Sequence, residues 1–355
     1  MGKKAHREAC QPSNTGPIGR QLWLSLFHQV LVTMLARLLR RLYLFQVISG
    51  ALLGAYLATR VAHPGSGALS LLLVPLGAVL VPLLLQLLVI GTSMVRSSSM
   101  GFGSPWWRAF WGEFQAALTV FVFRLPWSDR PPGVLMPLTG TTPVTGDKPL
   151  PVLLVHGYIC NHRVWDDITP ALRQAGHPVL ALDLEPLFTP IDDYAGLVEQ
   201  AVINLLATTG ATQVTLVGHS MGGLVIRAWM RAHGTRRVAR VITLGTPHQG
   251  TRIAKASMTP NGAQMEWHSP WLQALEHSET RATRSLIRIA LTHQDNIVYP
   301  QREQVLAGAS ITEFDGVGHL ELCLDTTVIG WLVQQLKAGT ADEPAAVNHA
   351  PHTAQ

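Results

Sequence analysis

The segment Gly218-His219-Ser220-Met221-Gly222 constrains this chain more than any other. It fits the G-x-S-x-G pattern, follows the apolar run 214–217 and opens a helix-patterned run over 224–230. A serine on so tight a strand-to-helix turn sits in strained backbone with its hydroxyl pushed outward. Gly218 and Gly222 are needed because a side chain at either would collide with the neighbouring strand or helix. Ser220 is therefore the candidate nucleophile.

A serine hydroxyl is a poor nucleophile at neutral pH, so the chain must supply a base, a group that orients the base, and donors for the oxyanion. For a serine in this setting the partners are sought downstream, acid before histidine. The strand-like run 285–291 ends near Asp295, and the run 310–314 ends near His319. Both residues thus lie just past the carboxyl end of an expected strand, where loops of a parallel sheet converge on a crevice. Ser220 attacks, His319 carries the proton, and Asp295 fixes the tautomer of His319. Asp315 and Asp183 are the rivals for the acid; Asp295 is preferred because it follows the strand expected to carry it.

The oxyanion donors expected are the amide of Met221, next to the nucleophile, and that of Tyr158, in the loop after the buried run 152–155. Gly157 lets backbone approach the substrate there. His156 braces the loop, His219 packs beside the serine turn, and His248 braces its own loop.

Taken together, His156-Gly157, the serine turn, Gly245-Thr246-Pro247-His248-Gln249-Gly250, Asp295 and Gly318-His319 resemble the α/β-hydrolase superfamily, in particular its bacterial lipase-like and esterase-like members. The resemblance covers roughly residues 150–338. It implies an α/β fold, a mostly parallel sheet with helices on both faces, and hydrolysis of carboxylic esters through an acyl-enzyme with no cofactor and no metal. The chain departs from fuller members in having no obvious strand pair ahead of His156. The run 133–136 is the candidate remnant. A thioesterase or amidase using the same triad, and a non-catalytic membrane protein that keeps the fold, are the alternatives.

The alternation of elements over 149–338 agrees with such a sheet: helices near 163–174 and 192–206, strands at 179–182 and 238–244, and a closing helix over 325–337. Residues 251–280 sit where such folds insert a cap, and their Met, Leu and Trp side chains are read either as a lid lining an acyl pocket or as core. The polar tail 339–355 is expected to be disordered.

Charge separates the two parts of the chain. Residues 1–150 hold thirteen Lys or Arg against four Asp or Glu, whereas the remainder holds fourteen against eighteen. The basic residues flank apolar runs instead of forming a polar face, which excludes a nucleic-acid partner. No charge occurs between Arg41 and Arg60, or between Arg60 and Arg96. Runs 43–59 and 69–90 therefore read as a transmembrane hairpin turning at 63–67, with Pro75 and Pro82 as kinks. A buried hairpin and a cleaved signal peptide are the competing readings. Basic residues on both outer flanks place the ends of the hairpin, and with them the hydrolase, on the cytoplasmic side of a bacterial inner membrane. Residues 21–36 are read as an interfacial helix; were they to span, the side would reverse. A true start at Met34 is a further alternative. This gives an N-terminal anchor over 1–98, a linker over 99–148 and a catalytic domain over 149–338.

In the linker, Trp107, Phe110, Trp111, Phe114, Leu118 and Phe121 fall on one helical face after a start signal at Ser104-Pro105. That face suits either a bilayer interface or packing on the hydrolase body. Cys10, Cys160 and Cys323 give neither metal spacing nor a disulfide framework. Cys160 and Cys323 are expected near each other by the site, as buried free thiols.

Overall fold

The computed structural model describes residues 33–61, 67–99, 101–128, 133–138 and 149–337. The hairpin turn, the interfacial helix expected at 21–36 up to residue 32, the proline-rich linker over 139–148, Cys10 and the polar tail lie outside the described residues.

Two long helices come first, α1 (Thr33–Val61) and α2 (Gly67–Ser97), and they pack side by side. Helix α1 begins ten residues ahead of the apolar run, so Arg37, Arg40 and Arg41 lie on it instead of before it. Pro75 and Pro82 both sit inside the continuous α2. Each helix is long and apolar enough to cross a bilayer, and only 11% and 6% of their apolar windows are buried inside the protein. A core hairpin of a water-soluble domain would show the opposite. Leu44, Phe45, Leu71 and Leu72 all face outward.

Helix α3 (Ser104–Ala117) follows, with Pro105 in its first turn, and runs on into a π-helical turn at Leu118–Arg124. Its inward face is Trp106, Ala109, Phe110, Glu113, Ala116, Ala117 and Val120. The aromatic stripe read from the sequence is divided: Phe110 is buried, Phe114 and Phe121 pack partly against the core, while Trp107 and Trp111 are half exposed. Trp106, one position off that stripe, is the buried anchor. It stacks on Phe110 at 5.5 Å and its indole N–H donates to the Met94 carbonyl.

The remainder is a six-stranded parallel sheet. Its strands are β1 (Val152–Val155), β2 (Val179–Leu182), β3 (Val214–His219), β4 (Val238–Leu244), β5 (Ile287–Thr292) and β6 (Ser310–Phe314), in the order β2-β1-β3-β4-β5-β6. Four central strands are near-continuous apolar runs because helices cover both faces. The crossovers include α4 (Ile168–Gln174), α5 (Ala195–Thr209) and α6 (Met221–His233); α7 (Pro260–Gln264), α8 (Pro270–His277) and α9 (Arg281–Ser285) come between β4 and β5, and α10 (Thr326–Lys337) closes the chain. Leu135 forms a single antiparallel bridge with Val179, so the sheet is shortened at its β2 edge. Strand order reverses direction between β1 and β3, which opens the crevice where ligands of such sheets bind.

Helix ends explain the local boundaries. Gly210 closes α5 in the left-handed region, at φ 70°. The Thr280 side chain caps α9, so the strand expected from 285 starts at Ile287.

Helices α1 and α2 and the sheet share one core, since Leu35, Leu39, Ile90 and Met94 pack in the same cluster as Val152, Leu154 and Leu332. Polar contacts reinforce the join. The Arg40 guanidinium donates to the Pro126 carbonyl and lies 4.9 Å from the Trp127 ring centre, and the Gln301 amide donates to the Ser97 carbonyl at 3.0 Å.

Candidate active site

Ser220 ends β3 and begins α6 with φ 53° and ψ −127°, a conformation that an L residue holds only when its surroundings impose it. Neighbouring backbone shows what imposes it. A Cβ on Gly222 would stand 2.1 Å from the Val155 carbonyl oxygen, and one on Gly218 would stand 2.6 Å from the Gly223 nitrogen. The turn is thus pressed between β1 and α6. Gly157 approaches from the other side, where a Cβ would meet that of Ser220 at 2.7 Å.

His319 and Asp295 come together from the loops after β6 and β5. The His319 Nδ1–H donates to Asp295 Oδ2 at 2.8 Å, which leaves Nε2 as the free lone pair. Asp295 Oδ1 accepts the amides of Ile297 at 2.9 Å and Val298 at 2.6 Å, so the carboxylate is held in one orientation. Burial alone drives the His319 pKa down; the charge and hydrogen bond of Asp295, together with the charge of Glu113, outweigh it and raise the pKa above the ordinary histidine range. Ser220 and His319 line one cleft with Gly157, Tyr158 and His219.

The rival acids are engaged elsewhere. Asp183 accepts from the amide and ring of His162, and Asp315 accepts from the Gln294 side chain.

Met221 is the first residue of α6, so its amide is among those that a helix leaves without an intrahelical acceptor. Tyr158 lies across the cleft on the loop after β1, and its hydroxyl bonds Thr259 at 3.0 Å. His156 braces that loop: its Nε2 accepts the Leu184 amide at 2.9 Å, which puts the proton on Nδ1, facing the Gly157 carbonyl. Burial depresses its pKa, so it stays neutral despite the charge of Asp183. His219 is also held neutral by burial and donates from Nε2 to the His319 carbonyl at 3.1 Å. His248 bonds Thr243 through Nε2 at 3.0 Å, while Arg227 donates to its carbonyl at 3.2 Å.

Two residues of the site were not singled out in the sequence. Glu113 reaches from α3 to the His319 loop, where it is buried and its pKa is pushed by desolvation up to about 7. A signal existed: it is the one acid in α3, placed three residues after Phe110 and seven after Trp106. Asn296 donates to Ser93 Oγ on α2 at 3.0 Å while its own oxygen accepts the His319 amide at 3.4 Å. Nothing beyond adjacency to Asp295 marked it.

Cys160 and Cys323 are free, buried and close enough for a charge on Cys160 to act on Cys323. Burial lifts the Cys160 thiol to about 12 and the Cys323 thiol well above its usual value, so neither is a nucleophile at neutral pH. Of residues 251–280, Met265, Leu272 and Leu275 are core and Met258 is exposed; Ile253 is the contribution of this segment to the cleft.

Residues 152–294 match the family model described as Alpha/beta hydrolase family, a match that ends one residue before Asp295. Over 113 residues the chain is 39% identical to triacylglycerol lipases of Pseudarthrobacter phenanthrenivorans and Burkholderia plantarii, a stretch amounting to 29% of this chain and to 35% and 31% of those proteins. The chain thus spans about a third of the length of these curated relatives. A Bacillus licheniformis lipase solved in its propeptide form superposes with a TM-score of 0.50 at 18% identity, covering 62% of this chain and 57% of that one. The sheet order, the serine turn and this superposition together give an α/β-hydrolase fold.

Proposed function

We propose that this chain is a serine hydrolase of carboxylic esters, held at a membrane by its N-terminal hairpin. The observation that carries the reading is the 2.8 Å bond from His319 to Asp295, set beside a serine in strained backbone at the same cleft. His319 Nε2 takes the proton of the Ser220 hydroxyl as its oxygen attacks the ester carbonyl. The oxyanion that forms is met by the amides of Tyr158 and Met221. Collapse of this intermediate expels the alcohol, protonated by His319, and leaves Ser220 acylated. Water then attacks the acyl carbonyl and gives a proton to His319, which returns it to the Ser220 oxygen as the acyl bond breaks and the acid leaves.

Support for the membrane comes from two long apolar helices whose surface the protein leaves uncovered. Basic residues at the outer ends of the two apolar runs, Arg37, Arg40 and Arg41 on α1 and Arg96 on α2 among them, favour a cytoplasmic catalytic domain, which protease protection of the full chain in intact spheroplasts would test.

For the chemistry, the full chain in detergent should hydrolyse p-nitrophenyl esters and bind a fluorophosphonate covalently, while Ser220→Ala does neither. Equal turnover by both proteins would end the proposal.

A further inference from the structure

We infer that the helical hairpin is one wall of the acyl-binding cleft, and that the ester cleaved at Ser220 belongs to a long-chain lipid lying within the bilayer. This rests on the hydrolase reading and names its substrate class. The cleft, about 510 Å³, is lined by Ser220 and His319 at one part and by residues of α1 and α2 at another. Leu39, Leu42 and Tyr43 line it from α1; Leu85, Val89 and Ile90 line it from α2. The lining positions, 39, 42, 43 and 46 on α1 and 82, 85, 86, 89, 90 and 93 on α2, recur every three or four residues, so each helix gives one face to the cleft.

The chemistry of the wall selects its occupant. None of the hairpin residues lining the cleft is charged. The segment 251–280, where a lid was expected, contributes Ile253 alone among the described residues. A hydrolase unit without the hairpin would therefore leave this channel open along one side. Leu42 and Val89 line the cleft and are yet 47% and 65% exposed, so they stand at its rim. The mouth thus opens onto whatever surrounds the hairpin. In a bilayer that is hydrocarbon, and a lipid chain slides in sideways without crossing water. The wall is also fixed to the chemistry: Asn296 bonds Ser93 on α2 and accepts the amide of His319.

The test uses the full chain in lipid nanodiscs with p-nitrophenyl esters from four to sixteen carbons. For wild type, kcat/KM rises with each added methylene, by at most about fourfold, while the chain remains inside the cleft. Val89→Trp and Leu42→Trp each fill the channel and lower the long-to-short ratio of kcat/KM at least tenfold. Leu88→Trp, on the outward face of α2, leaves the ratio where it was. A readout free of folding effects is an alkyl fluorophosphonate with a terminal diazirine, attached to Ser220 and irradiated. Its crosslinks map to residues 39–46 or 82–93. An unchanged ratio in both tryptophan variants, or crosslinks confined to 251–280, overturns the inference while Ser220-dependent turnover keeps the hydrolase reading intact. Absence of Ser220-dependent turnover and labelling with every ester removes both.

Discussion

Glu113 Oε2 accepts the amide N–H of Leu320 at 2.8 Å, so a carboxyl group from the helix ahead of the hydrolase unit caps the turn that carries His319. The Glu321 amide donates to the same oxygen at 3.1 Å. A Cβ on Gly318 would stand 2.5 Å from it, so only glycine lets the carboxyl in. The linker helix is therefore part of the site's support.

Glu113→Gln keeps an oxygen for the two amides and removes the ionisation, which separates support from charge. The folded carboxyl titrates near 7 and the free one near 4.5. Between those values the native state holds a proton that the unfolded state has released, so stability falls as pH rises through the window. The thermal midpoint of Glu113→Gln should gain on wild type from pH 5 to pH 8. Glu321, raised to about 7 by burial and further by the charge of Glu113, adds a slope of the same sign to both proteins, a smaller one in the variant, so its change widens the difference in the same direction. The charge of Glu113 also helps raise the His319 pKa, so the acid limb of the kcat/KM profile should move to lower pH in the variant. A limb that stays in place would mean that Glu113 acts by packing alone.

Asp295→Asn tests the tautomer. The carboxylate holds the His319 proton on Nδ1, and an amide that keeps accepting from Ile297 and Val298 presents its NH2 to the ring instead. Nε2 then carries the proton and the base is lost, for a fall in kcat of about four orders of magnitude with KM little changed. Steady-state turnover measures it; a fall below tenfold would point to another acid.

The site was legible where local backbone geometry dictates residue type. Ser220 needs glycine at 218 and 222, and the sequence displays both. Asp295 and His319 were placed by following strands to their ends. What stayed hidden depends on contacts between distant segments. Whether α3 turns Trp106 or Trp107 inward is decided by the Met94 carbonyl waiting for an indole N–H, a group twelve residues away in the chain. Likewise the cleft wall comes from residues 39–46 and 82–93, which no pattern around Ser220 announces.

Arg227 is fully buried on α6, and its guanidinium meets both carboxylate oxygens of Glu279, at 2.6 and 3.0 Å. The pair ties the loop of His248 to the segment ahead of α9. Glu279 also accepts from Arg284 at 3.2 Å, and Arg284 keeps Glu276 at 3.6 Å when Glu279 is lost. Glu279→Gln leaves the Arg227 charge buried without its carboxylate and should lose about 3–5 kcal/mol, whereas Arg227→Met combined with Glu279→Leu should lose less. Thermal unfolding in detergent reads both. A double variant less stable than the single one would assign the pair a net stabilising role.

Two glycine-to-alanine changes should move stability in opposite directions. In a helix interior alanine is favoured over glycine by about 0.5–1 kcal/mol, because glycine loses more backbone freedom on folding. Gly330 on α10 has nothing within 4 Å of its added Cβ, so Gly330→Ala should raise the thermal midpoint. Gly54 on α1 is as helical, yet its Cβ would lie 2.1 Å from the Leu73 carbonyl oxygen of α2. That neighbour is backbone and cannot rotate aside. The two helices must separate, losing the contact that small residues permit between apolar helices. Gly54→Ala should therefore lower the midpoint despite its better propensity, and because α2 carries part of the cleft wall it should also weaken discrimination between long and short esters. Midpoints that rise in both variants would mean that the hairpin helices stand further apart than the Gly54 and Leu73 backbones imply.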